Sequence, residues 1–207
     1  MSDDATVFIV DDDPSIRHSL SWLLESVKLN VEAFASAEEF LQQVGIDRIG
    51  CLILDVRMPG MSGLELQEAL MARAMILPVI ILTGHGDVPM AVRAMANGAF
   101  DFLQKPFNGP QLLERINAAI SKSRELWQEK TSEAEVLSRY QTLTPRERQI
   151  MEMIVAGKAN KVMAFDLGIS LRTVEVHRHR VMEKMAAKSV AELIYSHLQI
   201  ADKIPVT

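Results

Sequence analysis

The sequence predicts an α/β domain built on a doubly wound, five-stranded parallel sheet, followed by a smaller all-α domain. Three observations predict this. Short apolar runs recur five times in the first half, each followed by a helix-length amphipathic stretch. Beyond residue 141 such runs give way to helix caps and helical spacing of apolar side chains. The charge also changes sign. Residues 1–120 hold sixteen acidic and eight basic side chains, a net charge of −8, whereas residues 121–207 hold fourteen basic and eleven acidic, a net charge of +3. An acidic half joined to a basic half implies a different partner for each.

The predicted strands are Thr6–Val10, Asn30–Phe34, 51–54, 79–82 and 100–103. Their VFIV, CLIL and VIIL segments are almost wholly apolar, as strands covered on both faces must be. Helix starts lie between them. Ser36 with Glu39 and Ser62 with Glu65 have capping-box spacing. Asp87 is placed to cap a helix with Pro89 in its first turn. The strand order 2-1-3-4-5 puts any ligand outside the C-terminal ends of the strands.

Residues 111–120 carry Leu112, Leu113, Ile116, Ala119 and Ile120 at helical spacing and are expected to pack on the sheet. The polar stretch after Ser121 is rich in helix formers and predicts a semi-rigid helical linker over 122–141, with a partly disordered tether as the alternative. Domain boundaries of 1–121 and 142–207 follow. In the second domain, Thr144, Pro145 and Glu147 open a helix that Gly157 ends. Further helices are predicted over 161–167, from Ser170 to about Met185, and over Val190–Ile200.

Hydrophobic residues make up 48% of the chain and charged ones 24%, which suits globular cores. No stretch of about 18 apolar residues predicts a membrane span, and the acidic start lacks the pattern of a secretory signal. Cys51 is the only cysteine, so no internal disulfide can form. A cytoplasmic protein that does not contact membrane is expected.

Chemistry converges on the predicted edge of the sheet. Asp11, Asp12 and Asp13 follow the first strand, Asp55 the third, Thr83 ends the fourth, and Lys105 follows the fifth. Clustered carboxylates need a cation to stay ionised together, and hard oxygen donors with open positions suit Mg²⁺. Asp55 is then a nucleophile toward phosphorus. Lys105 and Thr83 are placed to neutralise the transferred group.

The segments VDDD, LILDVRMPGMSG, LTGHGD and FLQKPF together resemble the receiver domain of two-component response regulators, over residues 5–121. The resemblance implies that Asp55 is the phosphoacceptor. It implies that Asp12, Asp55 and the Arg57 carbonyl bind Mg²⁺ directly, with Asp11 nearby. Thr83 and Phe102 match the switch pair and Lys105 the lysine of the family, which implies a cis bond between Lys105 and Pro106. Phosphorylation would draw in Thr83, let Phe102 turn inward and repack a face carrying Val92, Met95 and Ala99, the expected dimer surface. A core-packed strand aromatic is the alternative for Phe102.

In the second half, residues 158–188 carry seven basic against three acidic side chains. The helix–Gly–helix arrangement across 161–185 fits a helix-turn-helix. Val174, Val181 and Met185 form an anchoring stripe. Arg172, Thr173, Glu175, Val176, His177, Arg178 and His179 fall in the N-terminal half of the helix expected in the major groove, and Lys161, Arg180, Lys184 and Lys188 are placed for phosphates. Residues 142–200 resemble the LuxR-type four-helix domain, through LT-RE, G–NK, the GIS turn, TV–H and the late K-M. Glu175 departs from the lysine of many members. It either accepts from cytosine N4 or pairs with Arg172 or Arg178. Leu193, Ile194, His197 and Leu198 belong to a helix that pairs two domains in that family; for the first two, core packing is an equal alternative.

The whole chain is thus similar to the FixJ/NarL group of transcription regulators. That similarity implies a sensor histidine kinase, promoter DNA, RNA polymerase and a phosphorylation-dependent homodimer as partners. Two alternatives stand beside it. A phosphatase of the haloacid-dehalogenase type needs a second acid two residues after the nucleophile, where this chain has Arg57. A pseudo-receiver would not need the full set Asp11, Asp12, Asp55, Thr83 and Lys105.

Overall fold

The computed structural model describes residues 5–84 and 88–204. β1 (Thr6–Val10), β2 (Asn30–Phe34), β3 (Gly50–Asp55), β4 (Val79–Thr83) and β5 (Asp101–Gln104) form one parallel sheet in the order β2-β1-β3-β4-β5. Val10 pairs with Leu54, Leu54 with Ile81 and Thr83 with Gln104. This register sets Asp11, Asp55, Thr83 and Lys105 at one edge.

Alternate side chains of the strands enter opposite cores, as the period of two requires. Val7, Ile9, Cys51, Ile53, Ile80 and Leu82 pack under α1 (Pro14–Ser26) and the start of α5 (Gly109–Gln141). Phe8, Val10, Leu52, Leu54 and Ile81 pack under α2 (Ala37–Gln43), α3 (Gly63–Ala72) and α4 (Val88–Ala96). Both faces are covered, which is why the interiors of the central strands are apolar and their polar side chains fall at the strand ends. Burial pushes the Cys51 thiol up to about 12, so it is an inert core group.

The caps follow the sequence with one difference. Ser62 and Glu65 form a reciprocal capping box at α3. At α2, Ser36 accepts from Glu39 N, but the Glu39 carboxylate accepts from Ala35 N, one residue beyond the expected partner. The expected cap Asp87 and the neighbouring Gly86 lie outside the described residues.

The chain divides into two units, Met1–Trp127 and Gln128–Thr207. The polar stretch of α5 is held at its beginning and its end. Ser123 is buried and its hydroxyl accepts from Gly50 N, and Trp127 Nε1 donates to the Arg48 carbonyl at 2.9 Å. Within the second unit, Val136 and Tyr140 join Leu143, Ile150, Met151 and Ile154 in the core.

That unit contains α6 (Pro145–Val155), α7 (Asn160–Leu167), α8 (Leu171–Lys184) and α9 (Val190–Ile200). Thr144 and Glu147 form a capping box at α6. Gly168 closes α7 with φ 63°, a left-handed conformation that favours glycine. Ser170 then caps α8 by accepting from Thr173 N. Val174, Val181 and Met185 of the anchoring stripe are all buried.

Candidate functional site

The three consecutive aspartates after β1 do three different things. Asp11 is 1% exposed, and its Oδ1 accepts from Asp13 N. Asp13 caps α1 by accepting from Ser15 N. Asp12 is exposed. Arg17, which the sequence reading passed over, fixes this turn from the first helix by donating to the Asp11 and Asp12 carbonyls at 2.7 and 2.9 Å.

Asp55 ends β3 and is 8% exposed. Its Oδ2 accepts from Arg57 N at 2.7 Å. Gly63, also overlooked, lets the start of α3 lie against this turn: a Cβ there would stand 2.2 Å from the Asp55 carbonyl oxygen. Lys105 directly follows β5, precedes a cis Lys105–Pro106 bond and reaches across the edge. Its Nζ donates to Asp11 Oδ2 at 2.7 Å and to Asp55 Oδ1 at 2.5 Å. Two carboxylates thus share one ammonium, below a sheet edge that the strand register alone defines.

Burial is the main force on Asp55 and raises its carboxyl pKa; Asp11 adds to the rise and Lys105 works against it. Burial also acts to lower Lys105, but its bonds to Asp11 and Asp55 outweigh this and hold the ammonium above its ordinary range. The pocket keeps an excess of negative charge on hard oxygen atoms. Such a donor set fits Mg²⁺, which is bound through one or two carboxylates while keeping waters. Among the described residues no three Asp, Glu, His or Cys side chains form a ready metal cage; Asp11 and Asp55 meet at Lys105, and Asp12, next to Asp11 in the chain, is exposed.

Thr83 is 3% exposed and ends β4 beside this pair. Phe102 is 43% exposed, so the core-packed alternative for it does not hold. Val92 and Met95 are also exposed on α4. Ala99 is not: it is 7% exposed and packs in the core. Gly98, at φ 82°, reverses the chain so that Ala99 N returns to the Ala94 carbonyl at 2.9 Å. Ala99 is therefore removed from the expected dimer surface.

On α8, Arg172, Glu175, Val176, His179 and Arg180 line one open groove. Arg178 is half-buried at its side. Among the described residues Arg172, Arg178, Arg180, Lys161 and Lys188 make no ion pair. Neither does Glu175, so its expected pairing with Arg172 or Arg178 is not realised. Thr173 shares its hydroxyl with Ser170 at 2.8 Å, as part of the cap. Two expected DNA contacts are corrected. His177 lies on the packed side, with Nδ1 buried. Lys184 donates to Glu147 at 2.7 Å and to the Thr142 carbonyl at 3.0 Å. Glu147 is 2% exposed and requires a counter-charge, so Lys184 serves the fold. On α9, Leu193 is buried, whereas Tyr195 and Leu198 are exposed.

A buried aspartate held by lysine at a receiver-type sheet edge, and a recognition helix with unpaired cations, define a class. Residues 7–117 match the response regulator receiver domain, and residues 141–196 match the bacterial regulatory proteins of the luxR family. The chain belongs to the two-component response regulators of the FixJ/NarL group, which control transcription and are not enzymes. It is 49% identical to the transcriptional regulatory protein FixJ of Azorhizobium caulinodans, covering 94% of this chain and 92% of that protein. It is 44% identical to TdiR of Thauera aromatica, covering 92% and 84%. Among solved structures, response regulator StyR superposes with a TM-score of 0.85 at 42% identity, over 95% of this chain and 99% of that one. Receivers of this family bind Mg²⁺ at the phosphorylation site, and the two domains imply kinase and DNA partners. No described helix is long and apolar enough to cross a membrane.

Proposed function

We propose that this protein is cytoplasmic, that a partner sensor histidine kinase phosphorylates Asp55, and that this drives homodimerisation and sequence-specific promoter binding, with activation of RNA polymerase as the output. The observation that carries the reading is the buried Asp55 carboxylate held 2.5 Å from Lys105 Nζ with Asp11 on the same ammonium. An Asp55 oxygen attacks phosphorus as the bond to the donor breaks. Lys105 releases one of its present partners and donates to the new phosphoryl oxygens. Thr83, at the end of β4, turns its hydroxyl to the same group. Asp11, Asp12 and Asp55 with the Arg57 carbonyl would hold Mg²⁺, which supplies positive charge against the phosphoryl oxygens when bound.

Movement of Thr83 leaves room beside β4, and the exposed Phe102 turns inward to fill it. The face carrying Val92 and Met95 then pairs two receivers. Two α8 helices enter adjacent major grooves, with Arg172, Glu175, Val176, Arg178 and His179 toward bases and Lys161, Arg180 and Lys188 toward phosphates. Tyr195 and Leu198 extend the pairing on α9.

Incubation with Mg²⁺ and acetyl phosphate tests this. Wild type is expected to gain one acid-stable, hydroxylamine-labile phosphoryl group and to shift from monomer to dimer in sedimentation. Asp55→Asn should do neither. Labelling of Asp55→Asn equal to wild type would refute the assignment. Multiple-turnover release of phosphate would favour the phosphatase alternative, and no labelling of wild type the pseudo-receiver.

A further inference from the structure

At the opposite edge of the receiver sheet from Asp55 lies a cavity of about 540 Å³. Its walls include Leu70, Met75, Leu77, Val79, Phe100 and Leu126, and its lining is mainly apolar. The size is that of a small-molecule site. Gln67 of α3 is part of the wall and is 2% exposed. Both hydrogens of its amide are committed: Nε2 donates to the Ala94 carbonyl at 3.0 Å and to the Asn97 carbonyl at 2.9 Å. Those two acceptors fix the orientation of the amide, because a reversed Gln67 would set its oxygen against two carbonyl oxygens. The Oε1 atom is therefore the free end, and it is buried without a hydrogen-bond partner. An acceptor left so costs stability until a donor reaches it.

We propose that this cavity binds a neutral, largely apolar small molecule carrying one hydroxyl or N–H group, which donates to Gln67 Oε1. A charged ligand is disfavoured by the lining. Lys122, the cation at its rim, already pairs with Glu125 at 3.3 Å. Entry is by way of Met71, which is 62% exposed, and Met75, whose flexible thioethers line the cavity and can shift to admit the ligand. The bound molecule braces the C-terminal end of α4, since Gln67 ties that end to α3.

The probe is 2-naphthol, with 2-methoxynaphthalene as its donor-less counterpart, titrated into the full chain and followed by naphthol fluorescence and by methionine-methyl NMR. Saturable binding of 2-naphthol is expected, about five-fold tighter than the ether, the factor one net hydrogen bond supplies. The Met71 and Met75 methyl signals should shift most. Gln67→Leu should bring the two compounds to equal affinity, and Met75→Trp should fill the space and abolish binding while thermal melting stays cooperative. Absence of saturable binding to wild type overturns the proposal. So does binding that leaves the Met71 and Met75 signals unmoved, or equal affinity of naphthol and ether for wild type. The methyl shifts on wild type locate the ligand even where a variant fails to fold.

Discussion

Each domain contains a buried carboxylate bound to a lysine, and the two pairs behave in opposite ways. Asp55 shares Lys105 with Asp11, so one ammonium serves two acids, and its carboxyl pKa is raised. Glu147 shares Lys184 with no second acid and accepts from Thr144 N within the capping box; burial acts to raise its pKa, but these partners outweigh it and the pKa is lowered. Each carboxylate accepts from one lysine and one backbone N–H, so the difference lies in who shares the cation. A carboxylate that must share its ammonium with a second acid is held ready for further positive charge and for reaction. One that shares it with no other acid is a rivet. The same two residue types thus mark a site in one domain and a structural bond in the other.

The comparison breaks most readily at Lys184. Lys184→Met leaves the Glu147 carboxylate buried without its cation, and the second domain should lose about 2 kcal/mol of stability in urea unfolding. Lys188→Met, at an exposed cation, should stay within about 0.5 kcal/mol of wild type. Equal stabilities for wild type and Lys184→Met would return Lys184 to the phosphate-contacting group.

A smaller effect of opposite sign is expected at Asp55. Its folded pKa lies above the unfolded one, so the folded chain favours the protonated form. The ionised carboxylate then costs stability above the folded pKa, and the cost vanishes as pH falls toward the ordinary value of 3.8. Asp55→Asn should raise the receiver melting temperature at pH 7.5 by roughly 2 to 4 °C. The gain should shrink as the pH is lowered. Glu147 has the reverse sign: its lowered pKa contributes stability above the ordinary value of 4.5, which is lost as pH falls through the folded value. Melting curves of wild type and Glu147→Gln should therefore converge in acid and part near neutrality. A melting temperature lowered by Asp55→Asn would show that the shared ammonium already satisfies both acids.

The phosphate site was legible because a strand period of two and a known strand order leave few places for a residue just past a strand end. Asp11, Asp55, Thr83 and Lys105 needed no more than that. The helical domain was less legible. Helical spacing names the face on which Lys184 lies, but not that a buried acid 37 residues earlier lies opposite it. His177 follows the buried Val174 by one turn and is drawn to the packed side, although its neighbours face out. Ala99 depended on a single reversal at Gly98, which no periodicity records. Gln67 gave no signal at all, because a glutamine on an amphipathic helix reads as surface until the carbonyls of the next helix are known.

The finest test of the contrast between committed and uncommitted cations is Arg180→Ala. Arg180 is exposed on α8 and makes no ion pair among the described residues. Its loss should leave folding stability within about 0.5 kcal/mol of wild type. If it neutralises one phosphate, it releases about one counterion on binding, so the slope of log affinity against log salt should fall in magnitude by about 0.9. The loss should be nearly the same on every sequence, because a phosphate carries no base identity. Arg178→Ala should instead weaken the preferred site more than a random one. Measuring both on specific and random duplexes over a salt series separates the two roles, and a slope unchanged by Arg180→Ala would move that residue from the phosphates to the solvent.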